Sequence, residues 1–286
     1  MVDLHVHTTH SDGSYSPEAL VALASKYDVN VLGITDHDEI SGINPAMQAG
    51  NHYQIKVISG VELSIEYNLP EPGHFHLIGL LFDPVNPSIN KRLSWLREAR
   101  RNRAFEIINK LSALGYPVSA EEIEDDLKYG SIGRPHIAAL LVKKKVVSTI
   151  AEAFSKLLRN GKPAHVPKKK LSFAEAVKAV HDAGGLAIMA HPNSLGFKTY
   201  PELGEEILKL QKAGLDGIEA YYSRHDRYFT EWLIKFAEKH NLAVSGGSDF
   251  HGQAKPDILP GIGTGDMNIP VSVYENLIKF HIKKYT

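Results

Sequence analysis

The sequence predicts an α/β protein, a parallel sheet or barrel with helices packed outside it, interrupted once by a long helical insertion. Seven short apolar stretches alternate with helical patterns along most of the 286 residues, which is the order of repeated strand-helix units. The alternation stops for roughly a hundred residues between the fourth and fifth stretches, far more than one crossover helix needs.

In chain order, strands are expected at Val2 to Val6, Val31 to Thr35, Ile55 to Ser59, His76 to Phe82, Leu186 to Ala190, Gly217 to Ala220 and Leu242 to Ser245. Helix starts are marked by capping chemistry. Ser16-Pro17-Glu18 sets an N-cap serine before a proline at the first helical position, and Ser119 with Glu122 and Ser172 with Glu175 have capping-box spacing. The insertion reads as helices over Ser88 to Leu114, Ala120 to Tyr129, Pro135 to Lys145 and Thr149 to Asn160. Gly115-Tyr116-Pro117 and Gly161-Lys162-Pro163 punctuate it. The expected division is a barrel from residues 1–84 and 171–286 and an insertion subdomain over 85–170.

Composition narrows the chemistry. No apolar run reaches the roughly 20 residues of a membrane span, and no basic-then-apolar leader is visible, so a cytoplasmic location is expected. There is no cysteine, which excludes disulfides, thiolate metal sites and cysteine nucleophiles, so any transition metal must be held by histidine and carboxylate. The net charge of −1 hides a division: residues 91–170 hold 18 Lys/Arg against 8 Asp/Glu, and the rest hold 14 against 25. A basic insertion suits a polyanion, and an acidic remainder suits metal ligation.

Residues with metal-binding side chains gather at the strand ends. His5 and His7 close the first strand, where residues two apart face the same side. Asp12 follows closely, His37 follows the second strand, Glu62 the third, His191 the fifth, and Asp249 with His251 the last; His76 opens the fourth. In an α/β barrel the carboxyl ends of the strands converge on the face that carries active sites. His76 fits least well, since it precedes its strand. Nine candidates exceed the four to six ligands of one ion, so two or three ions are expected, with a carboxylate such as Glu62 bridging a pair. Imidazole and carboxylate ligands suit zinc, manganese or iron better than magnesium or calcium alone. Asp38 is a candidate for orienting a ligand. His10, His52, His74, His181, His240 and His281 read as structural or surface residues.

The motifs His5-Val6-His7-Thr8-Thr9-His10-Ser11-Asp12-Gly13, Ile34-Thr35-Asp36-His37-Asp38, Gly60-Val61-Glu62, Ala190-His191-Pro192 and Gly247-Ser248-Asp249-Phe250-His251 together resemble the PHP (polymerase and histidinol phosphatase) family. The resemblance implies a distorted (β/α)7 TIM-like barrel with a trinuclear metal centre. It assigns His5, His7, Glu62 and Asp249 to one ion, Glu62, His76 and His191 to a second, and Asp12, His37 and His251 to a third. Within the insertion, Gly133-Arg134-Pro135-His136-Ile137-Ala138, Ala153-Phe154 and Gly161-Lys162-Pro163-Ala164-His165-Val166-Pro167 resemble the branch of 5'-3' exoribonucleases and nucleoside 3',5'-bisphosphate phosphatases. His165 departs from that branch, where an aromatic residue is usual.

The expected reaction is hydrolysis of a 5'-phosphate from a nucleoside 3',5'-bisphosphate or from the 5' end of short RNA, by a hydroxide bridging two ions. Arg134 is the expected phosphate clamp, because a guanidinium donates two parallel hydrogen bonds to phosphate oxygens. His225 is a candidate for bonding the scissile phosphate or protonating the leaving group, and Arg224 for a neighbouring phosphate. Arg97, Arg100, Arg101 and Arg103, with Lys143 to Lys145 and Lys168 to Lys170, form a candidate track for a nucleic-acid backbone. The alternatives are a phosphatase for histidinol phosphate or another small phosphomonoester, and a non-catalytic, metal-stabilised nucleic-acid-binding module. Nothing in the sequence indicates a protein partner or sets an oligomeric state.

Overall fold

The computed structural model describes residues 1–70, 73–123 and 133–286. The chain begins with β1 (Val2–Val6), α1 (Pro17–Ser25), β2 (Val31–Ile34), α2 (Ile43–Tyr53), β3 (Lys56–Glu66) and β4 (Phe75–Leu80). The insertion follows with α3 (Pro87–Ala113), a 3-10 turn at Ala120–Ile123, α4 (Arg134–Lys143) and α5 (Ile150–Ala153). The barrel resumes with β5 (Leu171–Ser172), α6 (Phe173–Asp182), β6 (Leu186–Met189), α7 (Tyr200–Lys212), β7 (Gly217–Tyr222), α8 (Arg227–Lys239), β8 (Ala243–Gly247) and α9 (Val271–Tyr285).

All seven expected strands are present, in the sheet order β1-β2-β3-β4-β6-β7-β8, with the two-residue β5 beside β3. Beyond β8 the chain bonds back to β1: the Asp249 amide donates to the His5 carbonyl at 2.8 Å and the His7 amide to the Phe250 carbonyl at 2.9 Å, which nearly closes a distorted barrel. The expected all-parallel arrangement is corrected at one place. β4 runs antiparallel to both β3 and β6, so its first residues lie at the rim where the other strands end. That removes the difficulty with His76: it precedes most of its strand because the strand is reversed. β3 is also longer than expected, since it pairs with β4 through Ile65.

Local chemistry explains the helix starts. The Ser16 hydroxyl accepts from the Ala19 amide, with Pro17 in the first turn, and Ser172 and Glu175 complete a reciprocal capping box. The expected helix from Thr149 is short and passes into a wider π turn at Phe154–Leu158. Of the helix expected over Ala120 to Tyr129, the first four residues form the 3-10 turn, and the part beyond Ile123 lies outside the described residues.

α3 belongs to two cores. Ile89, Leu93 and Leu96 pack with the barrel's outer layer. Ala104, Ile107, Ile108 and Leu111, further along the same helix, pack with Ile137, Leu141, Leu157 and Val166 in a second apolar cluster within the insertion. Among the described residues, no helix is long and apolar enough to cross a membrane.

Candidate metal centre

The nine residues expected to carry the chemistry meet at the barrel's catalytic rim. Nδ1–H of His5 donates to Glu219 at 2.9 Å, which turns Nε2 inward. That nitrogen lies 3.2 Å from His7 Nε2, 3.4 Å from Glu62 Oε2 and 3.6 Å from Asp249 Oδ1. His7 Nε2 lies 3.2 Å from the same Glu62 oxygen and 3.4 Å from the same Asp249 oxygen. Donors at about 2.1 Å from one tetrahedral ion stand about 3.4 Å apart, so these four residues have separations that suit a shared cation.

Glu62 reaches a second group with its other oxygen. Oε1 is 2.8 Å from His76 Nδ1 and 3.0 Å from His191 Nε2. His37 Nδ1 is 3.0 Å from Oε2. A third group forms around Asp12, whose Oδ1 is 3.3 Å from His251 Nε2 and whose Oδ2 is 3.8 Å from His37 Nε2; His7 also turns Nδ1 toward it, at 3.7 Å. Glu62, Asp249, His5, His7, His191 and His251 are buried, and Asp12, His37 and His76 are partly open to solvent.

Among the described residues, three buried polar atoms in this cluster have no hydrogen-bond partner: Asp12 Oδ1, His37 Nδ1 and Glu62 Oε2. Buried polar atoms are rarely left unpaired, and all three face the gathered donors. The electrostatics indicate the same deficit of positive charge. Burial works against the charged form of Glu62, Asp12 and Asp249, yet the surrounding histidines hold all three carboxyls well below the usual range. Burial alone would lower His7, but Asp249 and Glu62 push it up to about 9; His5 is raised by Glu219, Glu62 and Asp249 against the same penalty. Without a cation, these two imidazoles take protons to balance the carboxylates. A divalent cation meets that demand and must displace the protons, so binding weakens as pH falls toward and below neutrality. Calorimetry of metal binding at pH 7 in buffers of different ionisation enthalpy should show release of about two protons. No net release would contradict this balance.

The cluster is held by groups that sequence reasoning missed. Glu219 Oε1 accepts from His5, and its Oε2 accepts from the His191 amide at 2.7 Å. His191 Nδ1 faces Ser194 Oγ at 2.8 Å, and that hydroxyl donates to the His74 carbonyl, so the imidazole is the donor and Nε2 is free to face Glu62. His251 Nδ1 donates to the Asp249 carbonyl at 2.8 Å. Outward Nδ1–H bonds with inward Nε2 are how metal-binding histidines are oriented. Asp36 accepts from the Thr8 amide and hydroxyl and from Ser11, fixing the loop that carries Asp12. Asp3, raised to about 6 by burial, accepts from the Ser248 and Gly261 amides and anchors the loop that carries Asp249. The available signal was a single carboxylate within or at the end of an apolar strand, as in Val2-Asp3-Leu4 and Ile218-Glu219-Ala220. Replacing Glu219 by glutamine is expected to lower metal affinity and turnover by about 10- to 100-fold, measured by metal titration and steady-state kinetics.

The backbone is strained at the same rim. His191, Asp38 and Asp249 take positive φ values of 27°, 55° and 57°. Gly13 is required by close approach, because a Cβ there would sit 2.4 Å from the His7 carbonyl oxygen.

The expected basic track is divided by its partners. Asp38 accepts from Arg100 Nε at 2.9 Å and pairs with Lys168 at 3.1 Å, so it joins the insertion to the barrel rather than bonding a ligand histidine. Arg97 pairs with Glu39, Lys144 with Glu122 and Lys170 with Glu66. Arg103 donates to the Val166 carbonyl, and Arg134 donates to the Leu158 carbonyl at 3.2 Å with its guanidinium 5.5 Å from the centre of the Phe154 ring. Arg224 pairs with Asp257 on the surface at 3.0 Å. His225 donates from Nδ1 to the Ala220 carbonyl at 2.9 Å, which leaves Nε2 buried and unpaired; burial lowers the ring to about 4, so it is neutral at physiological pH. His74, read as structural or surface, is exposed but stands beside the cluster, its ring 5.3 Å from His76 and 5.6 Å from His191.

A fold of this kind with clustered histidines and carboxylates defines a metal-dependent hydrolase, and comparison with known proteins agrees. Residues 3–161 match the PHP domain model. A 5'-3' exoribonuclease of Haemophilus influenzae is 36% identical over 253 residues, covering 87% of this chain and 89% of that protein. A 3',5'-nucleoside bisphosphate phosphatase of Chromobacterium violaceum is 32% identical over 272 residues, covering 93% and 90%. A solved structure from Bifidobacterium adolescentis, described as a metal-dependent phosphoesterase, superimposes with a TM-score of 0.82 at 28% identity, covering 97% of this chain and 95% of that one. The chain belongs to the PHP-domain family of metal-dependent phosphoesterases.

Proposed function

We propose that the chain removes the 5'-phosphate of nucleoside 3',5'-bisphosphates and degrades short RNA from its 5' end. The observation that carries the reading is Glu62, a buried carboxylate whose two oxygens face different groups of histidines, as a bridge between ions requires. One cation would be held by His5, His7, Glu62 and Asp249, a second by Glu62, His76 and His191, and a third by Asp12, His37 and His251. This donor set suits manganese, zinc or iron. When bound, such ions supply an activated water and positive charge opposite the phosphoryl oxygens.

The chain's own residues do the rest. Glu219, Ser194 and Asp36 fix ligand orientation, and the Tyr222 hydroxyl, 3.1 Å from Asp249 Oδ2, steadies the oxygen not shared with His5 and His7. Arg134 pairs with no carboxylate among the described residues and is half-buried, which suits a guanidinium kept for an anion. Arg103 is in the same condition, and burial first, then the nearby Arg134 and Arg100, make its charge harder to hold. Arg224 is tied only by an exposed pair and can turn to a second phosphate. His225 is neutral, with its Nδ1–H committed to the Ala220 carbonyl and its Nε2 buried, and would set its ring beside the substrate site.

The named activities of the two similar proteins support a nucleotide or RNA substrate over histidinol phosphate. The test is to compare adenosine 3',5'-bisphosphate, AMP, a 5'-phosphorylated short RNA and histidinol phosphate with the manganese-loaded protein. The bisphosphate and the RNA should exceed the other two by about 100-fold in kcat/KM, the effect of one extra phosphate held by charged hydrogen bonds. Preference for histidinol phosphate or AMP would overturn the substrate assignment. Binding of RNA without turnover of any compound would instead leave a non-catalytic module.

A further inference from the structure

A cavity of about 240 Å³ opens at the catalytic rim between the loop after β6 and the loop after β7. Its wall begins at Pro192, the residue after the candidate ligand His191, although none of the nine candidate ligands lines it. The other side of the wall is aromatic. Phe197, Tyr200 and Phe229 line it, and Tyr200 is braced from behind, its ring 4.8 Å from Trp232 and 5.5 Å from Phe229 in stacked geometry. Tyr200 is 42% exposed, so part of its ring is open to a ligand. His225 forms part of the same wall, with its edge against Phe229 at 4.7 Å. Its Nδ1–H is committed to the Ala220 carbonyl, so its unpaired Nε2 can only accept a hydrogen bond.

We propose that this cavity is the seat of the substrate's nucleobase, stacked against Phe197 and Tyr200 beside the His225 ring. The inference rests on the nucleotide reading above and extends it to recognition of the base. A cavity walled by flat π surfaces is complementary to a planar heterocycle, and ligand sites recur at the loops that follow barrel strands. Braced rings lose little freedom when a base docks, so stacking on them favours binding. The arrangement separates two tasks along the rim: phosphate is met by the metals and by the cations of the insertion, and the base is met by the loops after β6 and β7.

The experiment measures kcat/KM for adenosine 3',5'-bisphosphate and for its base-free counterpart, 1,4-anhydroribitol 3,5-bisphosphate, with the manganese-loaded full chain. The wild type should favour the nucleoside compound by about 10- to 100-fold, as loss of base stacking predicts. Tyr200→Ala and Phe197→Ala should each reduce that ratio by about tenfold. Poor folding lowers both rates together and leaves the ratio intact, so a ratio unchanged in both variants overturns the subsite. A wild-type ratio near one, with both compounds turned over, overturns it while leaving the bisphosphatase reading in place. Turnover of neither compound, with another phosphomonoester hydrolysed, overturns the nucleotide reading and the subsite with it.

Discussion

Substitution of Glu62 by glutamine should lower turnover by at least about a thousandfold and reduce the bound metal by more than one ion per chain. The expectation follows from its two oxygens. One lies within 3.2 to 3.4 Å of His5 and His7, and the other within 2.8 to 3.0 Å of His76 and His191, so neutralising this side chain removes an anionic ligand from two groups at once. Glutamine preserves volume and keeps one acceptor, so the fold should survive and the effect should appear in metal content by elemental analysis and in kcat. Replacing a ligand of one group alone, as in His251→Ala, should cost a single ion. If Glu62→Gln retains full metal content and normal turnover, the bridging assignment is wrong.

Loss of Asp38 should have the largest effect on stability. Its carboxylate is fully buried and bears the charges of Arg100 and Lys168, whose own side chains are mostly buried. Asp38→Ala leaves two cations without their counter-ion in a poorly solvated place, an arrangement that costs about 3–5 kcal/mol. Urea unfolding monitored by circular dichroism measures it, and a change below about 1 kcal/mol would show that the cations find other partners. The pH dependence has a definite sign. Burial raises the Asp38 carboxyl, but Lys168 and Arg100 outweigh it and hold the group well below its unfolded value. Its contribution is therefore present above the unfolded carboxylate range and is lost as pH falls toward the folded value. Lys168 behaves differently. Burial, with Arg100 beside it, brings it down to about 8, so its charge costs stability below pH 8, and that cost fades as pH rises from there toward the unfolded lysine value.

The strands were legible because each is a run of apolar residues between turn signals, and the nine ligand candidates because strand ends carried histidine or carboxylate where a loop more often has neither. What stayed hidden depends on partners distant in sequence. Phe75 to Leu80 has the same local pattern whichever way it runs, so its reversal could not be read, although the misfit of His76 was its trace. Glu219 looked like a stray charge in a strand until β7 brought it against His5, 214 residues away. The basic clusters look alike in sequence, and only packing shows that Arg100 and Lys168 already have a counter-ion while Arg103 and Arg134 are bonded to backbone carbonyls. The π turn at Phe154–Leu158 arises where Arg134 caps the Leu158 carbonyl and lies against Phe154, contacts between segments some twenty residues apart.

The reversal of β4 also governs how the insertion can behave. Because this strand ends at the base of the barrel, α3 starts there and runs 27 residues, about 40 Å, its first half along the outside of the barrel and its second half as the floor of the insertion's own core. The first half of the helix is clamped to the barrel and the second half cannot pivot without bending a continuous hydrogen-bonded rod near Arg100. The two cores are thus carried on one rod, which holds the insertion's side chains at a fixed place relative to the barrel.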